Sequence, residues 1–235
     1  LLEGSLSELS FFLTSRPMLT YSSISFCKKS VVRSGSGCIL AEMLANALMT
    51  APEHIWYFDD LEASNGLMFN HESPLRGMEF VTRKITTTLA QIACGGQQQL
   101  MLGNLDNARD WGFAGDYVEA MWLMLQQETA DDYIVASGET HSVREFVILA
   151  AAAMGMQIEF EGEGLQARGI DKKTGRQLVS VSEDFYRPSE PDPLVGDASK
   201  AHKQLDWRAK LDFEDLVTLM AEHDLARAQG GQVWY

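Results

Sequence analysis

From about Ser64 onward the chain alternates between strand-like and helix-like runs, and that alternation limits the fold more than any other feature. Ser64–Asn70 reads as a short apolar strand, and Glu79–Ala93 as a helix with Phe80, Ile85, Leu89 and Ile92 on or near one face. Gln99–Leu102 reads as a strand ended by Gly103. Asp116 and Glu119 have the spacing of a capping box opening a helix over Tyr117–Gln127, and Ser142 and Glu145 that of a second one opening Val143–Met154, with a stop at Gly155. Asp132–Ala136 and Gln157–Phe160 read as strands, and Leu178–Val181 alternates weakly. Ser199–Leu205 and Phe213–Ala228 are expected to be helices. Strand following helix in this order implies an α/β layered domain. Residues 161–177 are polar, glycine-bearing and of mixed charge, which is loop composition.

Composition narrows the function. A net charge of −14 argues against a general binder of nucleic-acid backbones, so an anionic ligand would need individual Arg or Lys residues placed against a repulsive background. The 3 cysteines are widely spaced without a C-x-x-C, and the 5 histidines form no H-x-x-x-H or H-E-x-x-H, so neither a disulfide framework nor a metal site is expected. A reducing, cytoplasmic setting fits that cysteine usage. The apolar run that ends at Met154 is far shorter than the ~20 residues a membrane-crossing helix needs. No charged-then-apolar leader is read at the start, and Leu1 is read as lying inside a longer gene product.

Residues 9–63 differ in kind. Residues 10–30 show no clear period, and Cys38–Met49 is read as a candidate helix. Gly35 and Gly37 before that helix superficially offer a dinucleotide-binding turn, but the third small position is Leu40, so an ordinary loop before a helix is the better reading.

The motifs supply the specificity. Asn70-His71-Glu72-Ser73-Pro74 is followed by Phe80-Val81-Thr82-Arg83-Lys84, Leu102-Gly103-Asn104, and Arg109-Asp110-Trp111-Gly112. Asp116-Tyr117-Val118-Glu119 leads into Met121–Gln127; later come Gly138-Glu139-Thr140-His141-Ser142, Gly169–Gly175 and Tyr186-Arg187-Pro188-Ser189-Glu190. In this order, over roughly residues 64–228, the chain resembles the GDP-mannose 4,6-dehydratases of the extended short-chain dehydrogenase/reductase group.

The resemblance implies an α/β fold: a partial NAD(P)-binding Rossmann fold with a smaller, mixed α/β C-terminal substrate-binding domain. Residues 1–63 would be a divergent remnant of the Rossmann domain, and residues 64–235 its remainder interleaved with the GDP-sugar-binding domain. The implied reaction is dehydration without net redox. A hydride leaves C4 of GDP-mannose for NADP, the C5 proton is removed, water leaves from C6 and the hydride returns there, giving GDP-4-keto-6-deoxymannose. The intact protein would be a cytoplasmic homo-oligomer, dimer or tetramer, with GDP-mannose as its partner and neither nucleic acid nor membrane.

The same resemblance assigns residues. Arg109 and Arg187 would hold the diphosphate, Glu190 would accept ribose hydroxyls, Lys84 and Val81 would meet the nucleotide end, Asn70 would donate to the ligand, and His71 and Arg76 would contact NADP. Converging guanidiniums are what a pyrophosphate requires. Taken singly, Arg109 with Asp110 reads as a surface pair, Lys84 as the solvated face of its helix, and His71 as a structural residue. The joint match favours the binding roles, and leaves Trp111 and Trp122 as packing.

The chain also departs from the family. The family's Ser-Thr-Ser-Glu-Leu motif has its nearest counterpart in Ser5-Leu6-Ser7-Glu8-Leu9. Glu8 would be the base for the C5 proton, but Leu6 stands where the catalytic Thr is expected. None of the 6 tyrosines has a Lys four residues on, so the family's Tyr-x-x-x-Lys pair is missing, as is its Gly-rich NADP turn. The chain by itself is therefore expected to be inactive. Three readings remain: a dehydratase represented by part of its chain, a non-catalytic remnant that grips a GDP-sugar, or another nucleotide-sugar epimerase or reductase; the N-H-E-S-P and R-D-W-G motifs favour the dehydratase over the last. Likeness lost abruptly between Glu8 and Ala63 suggests a compensated pair of reading-frame shifts, which translation of the alternative frames would test.

Overall fold

The computed structural model describes residues 10–14, 22–29, 61–186 and 194–231, with side chains from Ser64 onward. In chain order the elements are strands β1 (Ser10–Thr14), β2 (Ser22–Lys29), β3 (Leu61–Met68) and β4 (Asn70–Glu72), helix α1 (Val81–Ala93), and strands β5 (Leu100–Leu102), β6 (Ala108–Arg109) and β7 (Trp111–Phe113). Helix α2 (Ala114–Leu125), strands β8 (Asp132–Val135) and β9 (His141–Ser142), and helix α3 (Val143–Ala153) follow. Strands β10 (Ile158–Glu161), β11 (Arg168–Asp171) and β12 (Gln177–Val181) lead to helices α4 (Ser199–Leu205) and α5 (Phe213–Ala228). The chain divides into two compact units, each assembled from three stretches of sequence.

Unit 1 comprises Leu1–Phe69, Tyr117–Val135 and Asp197–Arg208. Its sheet runs β1-β2-β3-β8: β1–β2 and β2–β3 are antiparallel, while β3 and β8 are parallel, with Asn65 opposite Asp132 and Met68 opposite Val135. Met68, Tyr117, Met124, Tyr133, Val135, Ala201, Leu205 and Trp207 are buried here, and the Trp207 ring meets Tyr117 edge-on at 6.0 Å. Helix α4 ends at Asp206, whose left-handed backbone (φ 51°) turns the chain out of the helix and leaves Trp207 inward.

Unit 2 comprises Asn70–Asp116, Ala136–Gly196 and Ala209–Tyr235. Its four-stranded sheet runs β10-β11-β12-β5, antiparallel until the last pair, where β12 and β5 run parallel. Helices α1, α3 and α5 pack on one another. Their apolar faces (Ile85, Leu89 and Ile92; Phe146, Val147 and Ala150; Phe213, Leu216, Val217 and Met220) form one core with Leu100, Leu102, Leu178 and Val179 of the sheet. Full burial of each large aliphatic or aromatic side chain contributes ~1.5–3 kcal/mol, so helical spacing of apolar residues is what makes these helices stable. The Ser142–Glu145 capping box is present, with the Ser142 side chain accepting from the Glu145 N–H, and Gly155 ends the helix region at φ +79°.

Three sequence-based expectations are corrected. Helix α2 begins at Ala114, so Asp116 lies inside its first turn rather than capping it. Its buried carboxylate accepts instead from the Lys210 and Leu211 backbone N–H groups at 2.8 and 3.1 Å. Residues 161–177 are not a loop: they contain a 3₁₀ turn at Gly164–Gln166 and β11, the central antiparallel partner of β10 and β12. Gly169 makes that possible, because a Cβ there would crowd Val179 and Ile158. Trp122 is half exposed rather than packed, whereas Trp111 is buried. The helix expected at Cys38–Met49 and the Gly35–Gly37 turn lie outside the described residues. No helix of the described residues is long and apolar enough to cross a membrane.

Candidate functional site

In unit 2 the motif strands meet side by side. β4 and β7 pair in parallel, which sets Asn70 opposite Trp111, His71 opposite Gly112, and Glu72 opposite Phe113. The two motifs, far apart in sequence, are thus neighbours at backbone level. β6 pairs antiparallel with β9, placing Arg109 opposite His141. A run of rings supports both ribbons: His141 lies flat on Phe213 (3.8 Å between centroids, 2° between planes), Phe213 stacks on Trp111 at 5.9 Å, and Trp111 meets Phe146 edge-on at 5.5 Å. Trp111 is therefore a packing residue, as expected from the sequence.

Arg109 is half-buried, and its Nη1 donates to the Ala108 carbonyl at 2.8 Å. Its neighbour Asp110 is 1% exposed, which rules out a surface ion pair between them. The Asp110 carboxylate accepts from Ser137 N–H (2.9 Å), Ser137 Oγ (2.6 Å), Gly138 N–H (3.0 Å) and Gly196 N–H (3.1 Å).

Glu72 ends β4 and turns inward. Its Oε2 accepts from Thr82 Oγ1 at 2.7 Å and lies 3.2 Å from Arg76 Nε. Burial pushes the Glu72 carboxyl above the ordinary glutamate range, against the opposing pull of Arg76 and the Thr82 hydroxyl. The Arg76 guanidinium lies 3.5 Å over the Phe80 ring. Pro74 is buried, and its carbonyl takes hydrogen bonds from Arg83 Nη1 and Arg227 Nη1, the latter at 3.1 Å. The N-H-E-S-P turn is in this way tied to both α1 and α5.

Val81 and Lys84 share the first turn of α1. The Lys84 ammonium sits 4.0 Å over the Phe185 ring, and burial lowers its pKa. This replaces the reading of Lys84 as a solvated surface lysine. The contact also fixes the chain just before Arg187. Ser182 donates its N–H to Leu102, and Gly103 lies so close to the Phe185 carbonyl that a Cβ would collide with it. Arg187, Glu190 and Glu8 fall outside the described residues.

The structure adds residues that the motifs did not single out: Glu72, Thr82, Arg83, Phe185, Asp110 as an acceptor, and Asp224 of α5, which is 3% exposed. An acidic residue on an otherwise apolar helix face, as Asp224 is beside Met220 and Ala221, is the one local signal that pointed to such a role. Among the described residues no group of His, Cys, Asp and Glu is arranged to hold a metal ion.

The family model of GDP-mannose 4,6 dehydratase matches residues 50–220, which extends the likeness upstream of Ser64. Among curated proteins, the GDP-mannose 4,6 dehydratase of Dictyostelium discoideum is 50% identical over 172 residues, covering 73% of this chain and 48% of that protein. The GDP-mannose 4,6-dehydratase of Sinorhizobium fredii is 51% identical over 170 residues (72% and 48%), and that of Homo sapiens 48% identical over 166 (71% and 45%). The chain spans about half the length of these curated relatives. Among solved structures, RMD from Pseudomonas aeruginosa complexed with NADPH superposes with a TM-score of 0.56 at 20% identity, covering 69% of this chain and 48% of that one. The dTDP-glucose 4,6-dehydratase of Bacillus anthracis in complex with NAD gives 0.53 at 17% identity, covering 71% and 45%. At such identities these two likenesses carry the fold alone, in agreement with the expected α/β, Rossmann-type class. A family match over residues 50–220 and relatives near half identity identify this chain as a member of the GDP-mannose 4,6-dehydratase family.

Proposed function

We propose that this chain supplies the GDP-mannose-binding part of a GDP-mannose 4,6-dehydratase. The whole protein would carry out the NADP-dependent dehydration of GDP-mannose to GDP-4-keto-6-deoxymannose, as a cytoplasmic homo-oligomer. The observation that carries this reading is the pairing of β4 with β7, which brings the N-H-E and R-D-W-G motifs into register beside one aromatic stack. In a chain of net charge −14, Arg109 and Arg187 are the groups proposed to neutralise the diphosphate, in fork geometry. Glu190 is proposed to accept the ribose hydroxyls. Lys84 and Val81, sharing the opening turn of α1, meet the nucleotide end, and Asn70 donates to the ligand. Unit 2 is read as the sugar-nucleotide domain and unit 1 as the remainder of the Rossmann domain, interleaved along residues 64–235, with residues 1–63 as its divergent remnant.

For the cofactor, His71 and Arg76 are the proposed contacts. The donor set fits: Arg76 keeps 22% of its side chain accessible while Glu72 and Phe80 hold its guanidinium plane, an arrangement suited to a phosphate. Bound NADP would supply the hydride acceptor. Glu8 is the proposed base for the C5 proton, and Leu6 beside it offers no hydroxyl to the reacting oxygen. The chain alone is accordingly proposed to bind without turning over.

Calorimetry with GDP-mannose, UDP-glucose and dTDP-glucose tests the reading. Binding of GDP-mannose in preference to the other two, without formation of a 4-keto product, is expected. Preference for a UDP- or dTDP-sugar would overturn the assignment, and turnover by this chain would overturn its inactivity.

A further inference from the structure

We infer that Glu72 is a positioning residue that sets the Arg76 guanidinium as a fixed anion-binding fork and ties it to the opening turn of α1. This rests on the reading of Arg76 as an NADP contact given above. The backbone of the turn that carries Arg76 is held by other groups. Leu75 N–H donates to Ser73 Oγ at 3.1 Å, Arg76 N–H donates to the Ser73 carbonyl at 3.0 Å, and the Pro74 carbonyl accepts from Arg83 and Arg227. What Glu72 adds is an anchor for a side chain. Its Oε2 lies 3.2 Å from Arg76 Nε and accepts from Thr82 Oγ1 at 2.7 Å, so a single oxygen joins the turn to the helix. Thr82 is fully buried and follows Val81 in the first turn of α1. The Phe80 ring covers one face of the guanidinium at 3.5 Å. With the Nε edge turned to Glu72 and one face laid on Phe80, the Nη pair is left pointing in one direction, which is the geometry a phosphate takes from an arginine. Stability does not account for a carboxylate at this place. Glu72 is 2% exposed, and burial outweighs the pull of Arg76 and Thr82, raising its carboxyl above the ordinary range. A glutamine would accept from Thr82 without burying a charge. What glutamine cannot supply is the negative charge that holds a guanidinium by its Nε edge.

Calorimetry with NADP and with GDP-mannose on the 235-residue chain tests this, using Glu72→Gln, Arg76→Ala and the two combined, each checked for folding by circular dichroism. Glu72→Gln is expected to lower NADP affinity about tenfold, to leave GDP-mannose affinity unchanged because the amide still accepts from Thr82, and to add little where Arg76 is already absent. A carboxylate with a structural role alone would weaken both ligands, with or without Arg76; that result overturns the inference, as does unchanged NADP affinity in Glu72→Gln. Should Glu72→Gln fail to fold, Thr82→Val, which takes one partner from the carboxylate and leaves its charge, is expected to weaken NADP severalfold; no loss, or the same loss when Arg76 is Ala, overturns the proposal. The NMR signal of the Arg76 Nε–Hε group reads the contact without ligand. It is expected to move as the Glu72 carboxyl titrates and to stay fixed over that range in Glu72→Gln; a signal indifferent to pH in the unsubstituted chain overturns the contact. If Arg76→Ala left NADP binding intact, or the unsubstituted chain bound no NADP, the cofactor reading would fall, while the Nε–Hε signal still decided whether Glu72 positions Arg76.

Discussion

Replacing Asp224 by Ala is expected to cost unit 2 more stability than any other single change in its polar contacts. The Asp224 carboxylate is 2% exposed at the side chain and faces α1 from α5. Oδ1 lies 3.2 Å from Arg83 Nη2 and accepts from Arg227 Nη1 at 3.1 Å; Oδ2 accepts from Thr86 Oγ1 at 2.5 Å and from Thr87 Oγ1 at 3.3 Å. Summed separately, four contacts to one ionised carboxylate would give about 6–12 kcal/mol. That overstates the loss, because the four share one carboxylate and are not additive, and because Arg227 keeps 31% of its side chain in solvent. The governing quantity is the Arg83 guanidinium, 7% exposed and left without its carboxylate; breaking such a buried pair costs about 3–5 kcal/mol. That is a large share of the ~5–15 kcal/mol that holds a typical domain together. Urea unfolding of Asp224→Ala, with amide exchange followed in α1 and α5, measures it. A paired Arg83→Met, Asp224→Leu variant should recover much of the loss, since no buried charge is then stranded. A loss below about 1 kcal/mol in Asp224→Ala would refute the reasoning, for it would rank this network with exposed ion pairs.

Two further outcomes follow from the site. Gly103→Ala should push the Phe185 carbonyl away, and with it the ring under Lys84; an unaltered Phe185 amide chemical shift would contradict that close approach. Glu72, raised by burial, binds its proton more tightly folded than unfolded, so its contribution to stability falls as pH climbs from the ordinary value near 4.5 through the raised folded value; Glu72→Gln should flatten that slope, and an unchanged slope in urea titrations would disprove it.

Legibility from sequence followed the range of the interaction. The bounds of α4 and α5 and the Ser142 cap were readable because helical spacing and capping chemistry are local. The Asp116 pattern carried the same local signal and meant something else, since the partners of that carboxylate, Lys210 and Leu211, lie in a distant part of the chain. Strand β11 was invisible for a related reason. Arg168-Gly169-Ile170-Asp171 has little intrinsic strand preference, and only its two antiparallel neighbours make it one. Motif order singled out Asn70, Lys84 and Arg109 as candidates, but nothing near Asp110 in sequence announces Gly196, and nothing near Lys84 announces Phe185. Those are consequences of packing.

Lys84 turns this packing into a prediction about ligand affinity. Its ammonium rests on the Phe185 ring, and burial is the cause that lowers its pKa, so the charged form is held less comfortably than in water. An acceptor oxygen of the bound nucleotide beside Lys84 would favour the charged form and raise that pKa in the complex. The protonated chain then binds more tightly than the neutral one. By linkage, affinity for GDP-mannose should be highest below the lowered pKa of the free chain and should fall as pH rises through it, by at most about tenfold per pH unit, levelling off once the pKa of the complex is passed. Lys84→Met keeps the apolar stem over Phe185 and removes the titrating group, so its affinity should be lower and should lack this alkaline limb. Calorimetric titrations across the alkaline range separate the cases. If the Met variant showed the same decline as the unsubstituted chain, the titrating group would lie elsewhere and Lys84 would not touch the nucleotide. If both were flat, the complex would leave the Lys84 pKa where burial alone puts it, and its place on α1 would be explained by Phe185 rather than by the ligand.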